Sequence, residues 1–197
     1  MDIIGELMKQ LSGGALSQIG QRIGADEATT QSAIAAVLPV LVIALARNAS
    51  RPGGAEALDR ALERDHDGSI LDDPMGSLSG GHAASGAGGG ILGHVLGGQR
   101  GAVQSGLGQS LGLGSGSIGT LLEMLAPLVM GALGRARQQE GLDAGSLGGY
   151  LGQQRQQASA ASPDLMGMLG GLLDSNKDGS VVDDLVGLAG KFLGKLR

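Results

Sequence analysis

No cysteine and no tryptophan occur in the 197 residues, and the aromatic side chains amount to Tyr150 and Phe192. Without thiols there is neither a disulfide framework nor thiolate chemistry. Without large rings, Leu, Ile, Val, Met and Ala must fill any core, and its elements have to approach closely. A cationic surplus is missing too: 14 Lys and Arg stand against 19 Asp and Glu, a formal net charge of −5. Affinity for nucleic acid rests on Lys and Arg neutralising phosphates, so no nucleic-acid partner is expected. The segment Met1 to Glu6 lacks the basic region and the apolar core of a secretory signal, which makes the cytoplasm the expected location. Alternating apolar and polar runs are also absent, so strands are not expected. What is abundant is glycine, at 39 residues, yet no strict G-X-Y period accompanies it and collagen is excluded.

The most apolar stretch runs from Ala33 to Ala46 and is closed by Arg47. A second such stretch, Leu121 to Gly134, is closed by Arg135, and each carries a proline at the same place, Pro39 and Pro127. Residues 3–47 align on 91–135 at a constant offset of 88 without a gap. Identities include Ile3/Ile91, Gly5/Gly93, Gly20/Gly108, Gly24/Gly112, Pro39/Pro127, Leu45/Leu133 and Arg47/Arg135. Most other apolar positions exchange one aliphatic residue for another. Glycine pairs could match by chance in so glycine-rich a chain; paired prolines and arginines in apolar context point to a duplication.

Taken in order, Ile3, Ile4, Leu7, Met8 and Leu11 mark one helical face, which Gly13 and Gly14 end. Leu16, Ile19 and Ile23 mark a second helix stopped at Gly24. Asp26 can cap a third that runs through the apolar stretch, with a kink or break expected at Pro39. A weaker helical pattern covers Gly53 to Glu63. The expected fold class is all-α: two tandem duplicated units of short Gly-rich helices, each with a proline-kinked central helix. The units are residues 1–75 and 91–197, joined by a Gly/Ser-rich linker at 76–90, with a Gln/Ala/Ser-rich insertion near 153–163. A membrane-spanning helix needs about 20 apolar residues; the run from Ala33 to Ala46 is shorter and its counterpart contains Glu123, so a buried core helix is preferred to membrane contact. Leu107 to Leu121 has the small-residue spacing of a helix-turn-helix. Its second helix carries no cation to reach phosphates or base edges, so this pair is expected to serve packing.

Two acidic loops follow the apolar helices. Asp174, Asn176 and Asp178 are spaced like positions 1, 3 and 5 of a calcium loop, with Gly179 at the turn and Ser180 offering a carbonyl. Position 12 is Leu185 rather than an acid, and Asp184 is the nearest substitute ligand. The first loop offers Glu63, Asp65, Asp67 and Asp73. Calcium is therefore the candidate cofactor. The alternative is structural: Ser69 with Asp72, and Ser180 with Asp183, read as capping boxes, and acids near helix N-termini complement the helix dipole.

Catalytic constellations are not found. His66, His82 and His94 lack metal-ligand partners at useful spacing, and the glycine tracts lack the Lys-Ser/Thr of a P-loop, so an enzyme is not expected. The motifs Asp67-Gly68-Ser69-Ile70-Leu71-Asp72-Asp73 and Asp178-Gly179-Ser180-Val181-Val182-Asp183-Asp184, joined to an aromatic-poor helical chain, resemble a bacterial family. It is catalogued as domain of unknown function 937 and is similar in character to the YidB group. The resemblance implies a small helical fold and no settled activity. The expected role is a non-enzymatic structural or interaction protein that self-associates or binds another protein, with calcium-binding acidic loops. A membrane-surface or envelope-associated protein is the alternative, and a DNA-binding protein the third reading.

Overall fold

The computed structural model describes residues 2–76, Leu78 and 87–161, and among them there is helix and no strand. In order the helices are α1 (Ile3–Gln10), α2 (Gly14–Ile23), α3 (Glu27–Ala49), α4 (Gly54–Asp65), α5 (Pro74–Gly76), α6 (Ala87–Val95), α7 (Arg100–Leu111), α8 (Ser115–Glu140) and α9 (Ala144–Ala161). Single 3-10 turns at Ser69–Leu71 and Gly97–Gln99 link α4 to α5 and α6 to α7. The all-α expectation holds.

Helices α3 and α8 pack on each other at the centre, and α1, α2, α4, α6, α7 and α9 pack on one or both of them. The expected break at the prolines does not occur: α3 runs through Pro39 and α8 through Pro127 as single helices. Each proline removes one backbone donor. The surrounding packing holds the helix together, since Leu38, Val40, Ala126 and Leu128 are all essentially fully buried. A helical stretch that is apolar all round belongs in a core, and Ala36 to Ala46 of α3 and Met124 to Gly134 of α8 are buried throughout. By length and composition alone α3 and α8 could also cross a membrane; here 72% and 78% of their most apolar windows lie inside the fold. The apolar residues of both central helices and of the helices around them form one hydrophobic cluster.

Local chemistry sets the boundaries. Asp2 accepts from the Gly5 amide at 3.1 Å and starts α1, and Asp26 accepts from the Thr29 amide at 2.7 Å and starts α3. Positions 88 apart end their helices alike. Gly24 and Gly112 take left-handed φ of 70° and 66°, and the next residue in each case donates to the carbonyl of Gly20 or Gly108 at 2.9 Å. A side chain is disfavoured at such φ, so glycine terminates both helices cleanly.

Parts of two stretches with linker composition are helical among the described residues. Helix α6 begins at Ala87, inside the glycine-rich stretch, because Gly88 lies against the Glu123 backbone of α8, where a methyl group would collide. Helix α9 continues through 153–161. Its inward positions, Leu147, Leu151, Gln154 and Ala158, keep a helical spacing, but the last two are polar or small and hide the period.

Candidate functional site

The first acidic loop is an arginine clasp. After α4 the chain turns at Gly68, with φ of 96°, and enters the 3-10 turn that buries Leu71. This turn lies on α8 where Gly131 and Gly134 present no side chain. A methyl at Gly134 would overlap the His66 carbonyl, and one at Gly131 would overlap the Ile70 side chain. Arg135 then closes over the turn. Its Nη2 donates to the Gly68 carbonyl at 3.1 Å and also pairs with the Asp72 carboxylate. Gln138 donates to the Asp67 carbonyl at 2.9 Å, and Arg137 pairs with Asp59 on α4. The Asp59 carboxylate, through its hydrogen bond, holds the Arg137 guanidinium still more firmly protonated.

The loop's other acids are spent locally. Asp67 accepts from the Ser69 amide at 3.0 Å, which holds its carboxyl below the usual carboxylate range. Asp65 pairs with Arg64 at 3.1 Å, Asp73 accepts from the Gly76 amide at 2.8 Å, and Glu63 is exposed on α4. Among the described residues, no three His, Asp or Glu side chains are assembled as a metal site. The expected capping box at Ser69 takes another form: the turn has no side-chain cap at its N-cap residue Gly68, and Asp67 supplies the carboxylate to the Ser69 amide instead. Asp174, Asn176, Asp178, Ser180 and Asp184 lie outside the described residues. Asp72, placed in the capping box by its spacing, is an arginine partner. Its partner is 63 residues away, and only the Arg47/Arg135 identity marked that arginine in advance.

A second feature, a groove, had no signal in the sequence. A cavity of about 570 Å³ lies between α4, α6 and the C-terminal end of α3. Its apolar lining includes Leu58 and Ala61 from α4, Ile91 and Val95 from α6, and Met130 from α8. Arg51, Arg64, His66 and His94 stand around it. Asn48 fixes one wall, donating through Nδ2 to the carbonyls of His94 and Val95 at 3.0 and 2.9 Å. Leu58, Ile91 and Val95 are only half-buried, so the apolar wall reaches solvent.

At the positions 88 residues before Ile91 and Val95 the side chains are enclosed. Ile3 and Leu7 of α1 are 1% exposed where Ile91 and Val95 are half-exposed. Gln154 of α9, 88 residues after His66, accepts from the Ile3 amide at 3.3 Å. Leu147, Tyr150 and Leu151 are buried there too. Burial, then the carboxylates of Glu140 and Asp2, push the Tyr150 phenol up to about 12.

In the stretch with helix-turn-helix spacing, Gly108 of α7 lies against the Leu113 carbonyl and Gly119 of α8 against the Gln104 side chain. Gly20 of α2 approaches Thr30 of α3, and the buried Thr30 hydroxyl donates to the Asp26 carbonyl at 2.7 Å. A family model for bacterial proteins of unknown function, DUF937, matches residues 5–136, a span that runs across both proline-bearing helices. Searches of curated proteins and of solved structures found no match.

Proposed function

Since the chain belongs to the DUF937 family of bacterial proteins of unknown function, we propose from its geometry that it is a non-enzymatic interaction protein. Its recognition surface is the groove between α4 and α6, and its ligand is a short apolar helix with acidic ends from a protein partner. The observation that carries this reading is an apolar lining open to solvent beside Arg51 and Arg64. Amphipathic helices dock in such grooves through side chains at i, i+3, i+4 and i+7. Rim cations add orientation and encounter rate more than affinity.

The test is fluorescence anisotropy of a labelled synthetic peptide with a leucine stripe at that spacing and an aspartate at each end. Saturable binding to the full chain, abolished by Leu58→Asp and weakened when lysines replace the aspartates, is the expected result. A peptide that never binds, or that binds equally to the Leu58→Asp chain, refutes the reading.

In the same reading the first Asp-rich loop serves the fold, because its carboxylates already hold backbone amides and arginines. Calcium stays a proposal for the second loop, with Asp174, Asn176 and Asp178 as ligands and Asp184 completing the set. Calorimetric titration of the full chain is expected to show heat that Asp174→Ala with Asp178→Ala abolishes. Absence of heat from the unaltered chain at millimolar calcium removes the proposal.

A further inference from the structure

We infer that the groove's first ligand is the chain's own segment 165–173, docked in cis, so that an external partner has to displace it. This inference rests on the reading of the α4–α6 groove as a docking surface. Three observations lead to it.

The first is the match of pattern. Thirty-six residues follow Ala161, and the segment from Leu165 to Leu173 is among their most apolar. Leu165, Met168, Leu169 and Leu172 fall at i, i+3, i+4 and i+7, the anchor spacing of a helix-in-groove ligand. Gly167, Gly170 and Gly171 occupy three of the four intervening positions, Met166 being the fourth, and would let the ligand backbone come close to a wall. Methionine suits an irregular apolar surface because its unbranched side chain adapts to the space it meets.

Charge gives the second. Asp164 and Asp174 bracket the stripe, and Asp183 and Asp184 follow. The groove has Arg51 and Arg64 on its lining. An acidic-ended apolar segment therefore meets an apolar groove with Arg51 at its rim and Arg64, paired with Asp65, beside it.

The third is the comparison across the 88-residue offset. On the side of α1 and α9 the chain covers the equivalent space with its own residues, Leu147, Tyr150, Leu151 and Gln154. On the groove side the matching residues are Asp59, Leu62, Glu63 and His66, two acids and a histidine among them. Of these, His66 is on the groove lining, and Asp59 and Leu62 are turned into the fold, so the described residues leave the apolar wall open. The segment begins four residues beyond the end of α9, and α9 packs on α4, which forms one wall of the groove. A short tether raises the effective concentration to the millimolar range, which favours the chain's own segment over one from a second copy.

The experiment uses the full chain and the acidic-ended peptide probe. Leu169→Asp with Leu172→Asp removes two anchors of the stripe and leaves the groove untouched. If the segment competes in cis, the peptide binds this variant at least tenfold more tightly than the unaltered chain. Equal affinity overturns the inference while leaving the groove reading intact; absence of peptide binding to either chain refutes both. Because the chain has no native cysteine, Ala57→Cys with Met168→Cys can be linked selectively by a short bis-maleimide at low protein concentration. A cross-linked product of monomer mass is expected. A dimer-sized product, or no cross-link, overturns docking in cis.

Discussion

The two sides of the central helix pair follow one pattern and end differently. Around α1 and α9 the space is sealed: Ile3, Leu7, Leu147 and Leu151 are almost fully buried. Around α6 and α4 a groove is left, and Asp59 and Glu63 of α4 occur 88 residues before Leu147 and Leu151 of α9. Asp59 turns instead to Arg137. One helix therefore turns aliphatic side chains inward where the other carries acids, one of them held by an arginine of α8. The largest expected effect tests this contrast. Leu147→Ala, at a fully enclosed site, should cost about 2–5 kcal/mol of stability through lost burial and the cavity left behind. Leu58→Ala, on the groove wall, should cost about 1 kcal/mol, since a half-exposed side chain loses little on truncation. Denaturant unfolding of both variants measures the difference. Equal losses would mean that the two sides are equally closed.

The central helices differ in one respect that sharpens the comparison. Helix α8 has Gly131 and Gly134 where α3 has Ile43 and Ala46. Those glycines let the 66–72 turn lie directly on the α8 backbone under Arg135. Gly134→Ala should therefore destabilise by about 1–3 kcal/mol, as overpacking does, although alanine is the better helix former. Ala46→Gly on α3 should cost about 1 kcal/mol from helix propensity alone. The distinguishing readout is hydrogen exchange. Gly134→Ala should speed exchange at the Leu71 and Asp72 amides, which donate to Gly68 and Ser69, and Ala46→Gly should leave them unchanged. If both substitutions loosen the turn alike, the glycine contact is not what seats it.

Features set by neighbouring residues could be read from the sequence, and features set by distant ones could not. The glycine stops at Gly24 and Gly112, the cap at Asp26 and the two apolar helices are local, and each appears where periodicity and turn chemistry place it. The continuity of α3 through Pro39 is a tertiary effect, since burial on every side overrides the missing donor. The reach of α9 past residue 153 was hidden because its inward residues are Gln154 and Ala158 rather than aliphatics. Of the acidic loop, the residue types were legible and their work was not. Asp72 meets Arg135 only after α4 folds back onto α8, and no spacing within the motif discloses a partner so far along the chain. The groove is a product of where α4 and α6 come to rest, so it had no local signature at all.

The smallest expected effect separates the starts of the two central helices. Asp26 caps α3, and its hydrogen bond from the Thr29 amide holds its carboxyl below the ordinary value. The matching position before α8 is Gly114, which has no side-chain cap. A carboxyl depressed in the folded state contributes stability above its unfolded pKa, about 3.9, and that contribution is lost as pH falls through the folded pKa. Below about pH 4 the first turn of α3 should therefore fray while the first turn of α8 does not respond. Amide exchange rates, corrected for the intrinsic effect of pH, should show protection falling at Thr29 and holding at Ile118, whose amide donates to the Gly114 carbonyl at 3.1 Å. Asp26→Asn keeps an acceptor without a titrating proton, so it should flatten the response at Thr29. Equal acid sensitivity at the two helix starts, or a response that survives Asp26→Asn, would place its origin in the common core rather than in the cap that only one helix carries.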